Sequence, residues 1–212
     1  MLKNKKLLIT ILLFGFVWGC LEVVLKDSMM LLNVKRTSYI LTASGILVLA
    51  IARKIYNKPG SSFLIGIVAA MFKVLSLDFY ACQMLALIIE AGAFDLTYSY
   101  LDKRVSERNP VRGFIGSISA YLGFAAFAFS ITYIVRYSYW VAGGMSKIMD
   151  YIFVSGSYAA LASFPAVLIG AWIGRKAQPK LLSLEESRPV VYYSGAVSLV
   201  IICWVVGILF SL

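Results

Sequence analysis

The chain has 212 residues, of which 61% are apolar and 14% charged, with a formal net charge of +10 and no histidine. A soluble domain carries about 25% charged residues, so this chain lacks the polar side chains needed to cover a water-exposed surface. The lack of histidine excludes a zinc or haem site built on imidazole; the Lys and Arg residues form short clusters between apolar runs, which argues against a nucleic-acid partner.

Apolar runs lie near residues 7–25, 38–56, 62–77, 80–101, 113–135, 148–174 and 190–211. A hydrocarbon core about 30 Å thick takes roughly 20 apolar residues per helical crossing. The expected fold is therefore all-α: a polytopic transmembrane helix bundle of about seven helices, forming a single transmembrane domain over residues 1–212. The first run follows Lys3, Lys5 and Lys6 and ends near Gly19-Cys20, the outline of a lipoprotein signal peptide. Trp18 is bulky where such cleavage sites need a small residue, so the run reads as a retained helix. The third run is short and is divided from the fourth only around Asp78, which leaves a re-entrant hairpin and six crossings as the alternative. Asn57-Lys58-Pro59-Gly60, Asp102-Lys103-Arg104 and the stretch 175–189 read as connections. Cys20, Cys82 and Cys203 fall in three different runs, without the short spacings of a metal site.

Positive residues are retained on the cytoplasmic side of a membrane. With the N-terminus inside, the inner segments hold Lys3, Lys5, Lys6, Arg53, Lys54, Lys58, Lys103, Arg104, Arg108, Arg112, Arg175, Lys176, Lys180 and Arg188. The outer ones hold only Lys26, Lys35, Arg36, Arg136 and Lys147. This asymmetry puts the N-terminus in the cytoplasm, and the alternation holds only if the third and fourth runs are two crossings.

Small residues recur at spacing four: Gly15 with Gly19, Gly66 with Ala70, Gly116 with Ala120, and Gly170 with Gly174. Such pairs let helix backbones approach closely inside a bilayer, and ordinary packing within the bundle accounts for most of them.

Ionisable groups inside apolar runs cost about 2.5–3.5 kcal/mol each at a helix centre, so Glu22, Lys73 and Glu90 are the informative residues. Gly15, Gly19 and Glu22 share one helix stripe, as do Gly66, Ala70 and Lys73. Both helices run outward. At about 1.5 Å per residue, Glu22 lies roughly 22 Å from Leu7 and Lys73 roughly 16 Å from Ser62, both in the outer half. One reading has Glu22 and Lys73 line a cavity open to the outside, near Trp18, and hold a polar substrate. The others are a structural ion pair, or pairing of Glu22 with Lys26. Gln83 and Glu90, seven residues apart, share a face of the fourth helix and extend the same path, unless Glu90 is a protonated hydrogen-bond donor to a carbonyl. Tyr133, Arg136, Tyr137 and Trp140 form a stripe at the outer end of the fifth helix. They read either as a mouth that stacks on a heterocycle while Arg136 pairs with an anion, or as an interfacial belt. There is no nucleotide-binding G-x-x-x-x-G-K-[ST] loop, and no serine or cysteine with an evident activating partner, so no enzymatic activity and no cofactor is expected.

With Gly15 and Gly19 in Gly15-Phe16-Val17-Trp18-Gly19, the segment Trp18-Gly19-Cys20-Leu21-Glu22 and the segment Gly66 to Lys73, the chain resembles the S components of energy-coupling-factor transporters. These are small prokaryotic membrane subunits whose first helix carries a small-x-x-x-small pair. The resemblance implies uptake of a vitamin, nucleobase or similar heterocycle from outside a prokaryotic plasma membrane. It further implies a membrane coupling protein docked through Gly15 and Gly19, and two ATPase subunits. A proton-coupled secondary carrier using Glu90 or Asp95, and a membrane scaffold whose charges are structural, are the competing readings.

Overall fold

The computed structural model describes residues 2–34, 37–75, 80–105 and 110–210. Lys35, Arg36, Asp78 and Arg108, used above, lie outside them. Among the described residues eight α-helices follow in order, with no strand: α1 (Leu2–Leu31), α2 (Ser38–Ile55), α3 (Ser61–Phe72), α4 (Ala81–Leu101), α5 (Gly113–Phe129), α6 (Ser138–Asp150), α7 (Gly156–Ser187) and α8 (Pro189–Phe210). Six helical stretches are long and apolar enough to cross a membrane, with α3 a shorter apolar helix. The chain is a multi-pass membrane protein.

The small residues set the helix contacts. A Cβ on Gly15 would lie 2.5 Å from Val68 Cβ, and one on Gly19 would lie 2.5 Å from Phe72 Cβ, so α1 and α3 pack side by side and run in the same direction. Gly66 faces Ala91 of α4, Gly116 faces the Ser163 carbonyl of α7, and Gly170 and Gly174 face Leu47 to Lys54 of α2. These registers make α1, α3 and α5 run one way and α2, α4 and α7 the other. The basic connections therefore gather at one end of the bundle, as the charge count anticipates. Gly15 and Gly19, expected to dock a partner, are covered by α3 within the chain and offer no free docking stripe. At Gly116 the neighbour is backbone, which cannot swing aside. Gly116→Val should therefore destabilise the purified protein by about 1–3 kcal/mol or more, read by denaturant unfolding in detergent, whereas Gly195→Val, where an added Cβ meets nothing within 4 Å, should be neutral.

Two stretches differ from the sequence expectation. Residues 175–189, read as a connection, continue α7 as far as Ser187. Lys176, Ala177, Gln178, Lys180, Leu181, Leu182, Leu184 and Glu185 are good helix formers, so charge marks where the helix leaves the apolar layer, not where it ends. Residues 138–150, most of which fall between the fifth and sixth apolar runs, form α6, which is broken at Gly144 (φ 55°) and buries Trp140 and Ile148 against Phe127, Ala128 and Ile131. The third run forms a helix too short to cross by itself: α3 begins after Gly60 (φ 85°), ends at Phe72 and passes into one 3-10 turn, Lys73–Leu75. Its 12 residues span about 18 Å, so Lys73 stops inside the bundle.

The basic end is pinned by buried charge. Asp95 of α4 accepts the backbone N–H groups of Gly60 (2.7 Å) and Ser62 (3.1 Å) at the start of α3, where a negative charge meets the positive end of the helix dipole. The same carboxylate faces Arg53 Nη1 at 3.5 Å; Arg53 also donates to Ser99 Oγ (2.9 Å) and to the Lys58 carbonyl. Arg112 pairs with Asp102 and donates to the Tyr98 hydroxyl (3.2 Å).

Helix α8 is peripheral. It lies along α1, with the Cys20 and Cys203 thiols near one another and Trp204 against Phe16 and Phe72. In a Cys82→Ser background, copper-phenanthroline oxidation should link Cys20 to Cys203. Proteolysis at a site inserted between α7 and α8 should then leave one band under non-reducing conditions; two bands would displace α8 from this position.

Candidate functional site

At the end opposite the basic connections, the bundle encloses a cavity of about 230 Å³. Its walls come from four crossings and the segment before α7: Glu22 and Lys26 from α1, Ser38, Leu41 and Thr42 from α2, Cys82, Gln83, Ala86, Leu87 and Glu90 from α4, Phe124 and Phe127 from α5, and Tyr151. Lys73 enters from the end of α3, and Thr37 closes the rim.

The parallel run of α1 and α3 brings opposite charges to one depth. Lys73 Nζ lies 3.5 Å from Glu22 Oε1 and donates to the Glu22 backbone carbonyl at 3.3 Å, with the lysine side chain 1% exposed. Lys26, one turn further along α1, donates to Gln83 Oε1 at 3.4 Å across the cavity. Deeper in, the Thr42 hydroxyl donates to Glu90 Oε2 at 3.2 Å. The remaining wall is aromatic: Phe124 stacks on Tyr151 with centroids 4.8 Å apart, and Trp140 of α6 meets Tyr151 edge-on at 5.0 Å from behind. A site with paired charges, single hydrogen-bonding groups and ring faces can hold a small polar solute in a fixed orientation. Among the described residues no group of three or more His, Cys, Asp or Glu side chains is arranged to hold a metal ion.

Of the residues singled out from sequence, Glu22, Lys73, Gln83 and Glu90 come together on this cavity. Trp18 is fully buried beside it, its indole packed at Gly45 next to the Glu90 carboxylate. The outer aromatic stripe does not form. Arg136 adopts a left-handed backbone (φ 55°) after a π-helical turn, Ser130–Ile134, so the helical spacing that would align Tyr133, Arg136, Tyr137 and Trp140 is interrupted. Arg136 and Tyr137 are exposed and do not line the cavity, while Trp140 turns inward and buttresses its wall. Asp95, the other carboxylate considered for proton uptake, is committed to the start of α3 at the far end.

Sequence reasoning missed Thr42, Phe124, Phe127 and Tyr151. Thr42 had a usable signal: it is a hydroxyl in the outer third of an apolar run, at the depth where Glu22 and Lys73 were placed. Tyr151 had none, because it sits where α6 passes into α7 and no single periodicity covers it.

The chain matches no family model, no curated protein and no solved structure in comparisons with each. Fold and cavity together define a multi-pass helical membrane protein with a polar, partly aromatic chamber near one face.

Proposed function

We propose that this chain is the membrane-embedded substrate-binding subunit of an uptake system, capturing a small water-soluble compound from the outer side of a prokaryotic plasma membrane. The observation that carries the reading is the convergence of Glu22, Lys73, Gln83 and Glu90 on one cavity at the end opposite the basic connections. By the positive-inside rule, that end faces outward. An ion pair kept for stability alone needs no chamber beside it, and a buried pair is a weak source of stability in any case. A volume of about 230 Å³ lies below the range of drug-sized sites, roughly 300–1,000 Å³, which favours a single-ring compound such as a small vitamin precursor or nucleobase.

The resemblance to S components of energy-coupling-factor transporters supplies the expected partners, a membrane coupling protein and two ATPase subunits. With Gly15 and Gly19 covered, such a partner would meet another face of the bundle. The test uses a chain with Cys20, Cys82 and Cys203 replaced by serine and Gln83→Cys added, expressed in intact cells and treated with a membrane-impermeant maleimide. Modification in intact cells is expected. Modification only after lysis would reverse the opening and sink capture from outside.

A further inference from the structure

Four charged side chains line the cavity, and three of them have polar partners of their own. Glu22 and Lys73 face each other, and Lys26 donates to Gln83. Glu90 differs. Its Oε2 accepts the Thr42 hydroxyl, while Oε1 is buried without a hydrogen-bond partner, and no Lys or Arg among the described residues stands within ion-pair distance of it.

The protein meets Glu90 from behind with neutral groups only. Gly45 of α2 leaves room for two atoms at once: a Cβ there would lie 2.6 Å from Trp18 Nε1 and 2.7 Å from Glu90 Oε1. The indole N–H likewise has no partner. Thr42 alone thus orients the carboxylate, without compensating a negative charge, and a buried charge lacking a counter-charge is costly.

Beside Glu90 lies a second, smaller chamber of about 40 Å³, which shares Thr42, Phe124, Phe127 and Tyr151 with the first and is otherwise walled by small residues. One water needs about 10–15 Å³ of such space, so the chamber has room for a head group of about three heavy atoms, the size of an amine or ring-nitrogen end. Ring faces carry negative quadrupole density and attract cations. Trp140 holds Tyr151 edge-on, and Tyr151 stacks on Phe124, so these rings are fixed before a ligand arrives.

From this juxtaposition we infer that the compound captured here is a small organic cation, a protonated amine or amino-heterocycle, whose charged nitrogen sits against Glu90 beside the ring cluster of Phe124, Phe127 and Tyr151. The inference rests on the solute-binding reading above and narrows it. An anion would be repelled by the carboxylate and a neutral ring would leave it to protonate, so only a cation gains from its charge.

The test measures binding of three single-ring probes of similar size to the purified full-length chain in detergent, by tryptophan fluorescence and thermal shift: 4-aminopyridinium, neutral aniline and benzoate. We expect 4-aminopyridinium to bind at least tenfold more tightly than aniline, and benzoate not to bind. Glu90→Gln, which keeps the Thr42 contact, should erase the preference for the cation, whereas Glu90→Asp should retain part of it. Equal or tighter binding of aniline or benzoate, binding of none of the three, or an undiminished cation preference in Glu90→Gln overturns the inference. A neutral or anionic compound found in the purified protein would overturn it while leaving solute capture standing; a chain that retains no solute at all would count against capture itself.

Discussion

Replacing Lys73 with Met should lower the stability of the purified protein by about 3–5 kcal/mol, because it strands the Glu22 carboxylate in a site built for a pair. The lysine is 1% exposed and the glutamate side chain 10% exposed, so water cannot readily take over the role of the ammonium. Denaturant unfolding in detergent micelles reads the loss. Glu22→Gln combined with Lys73→Met should recover most of it, since a neutral, well-packed pair is often no less stable than the ions it replaces. Stability and binding should then part company: the double variant folds, but the solute that needs these charges no longer binds. If the double variant is as unstable as Lys73→Met, the loss comes from packing around the lysine stem and not from the unpaired carboxylate.

A comparable loss is expected at the other end of the bundle. Asp95→Ala removes the acceptor for the Gly60 and Ser62 N–H groups and leaves Arg53, 2% exposed, without its carboxylate. About 3–5 kcal/mol should again be lost, this time with solute binding at the opposite end retained under conditions where the protein stays folded. Asp95→Asn should fall between the two, because the amide oxygen still accepts a backbone N–H but offers Arg53 no charge. A proton-coupled role for Asp95 predicts the reverse pattern, with stability unchanged and transport lost.

Much of this architecture is readable from local chemistry. Glycine pairs at spacing four mark where helices touch, since a missing Cβ is informative only where something occupies its place; Gly15, Gly19, Gly116, Gly170 and Gly174 all meet a neighbouring helix. Glu22 and Lys73 were matched by depth and sign, which requires only that α1 and α3 run the same way. Thr42 is marked in sequence by its depth alone, because sequence does not say which face of α2 turns inward. Nor does helical periodicity survive a break. The left-handed turn at Arg136 moves Arg136 and Tyr137 out of line with the cavity, and the kinked α6 sets Trp140 behind Tyr151, outside the cavity lining. Charge misled once, at Arg175 to Ser187, where residues that leave the apolar layer still favour helix.

Native mass spectrometry on the gently purified chain, wild type beside the Glu22→Gln, Lys73→Met double variant, tests the central claim most directly. The account predicts a small solute retained by the wild type and absent from a double variant that elutes and unfolds like a folded protein. A solute held equally by both, or by neither, would contradict it.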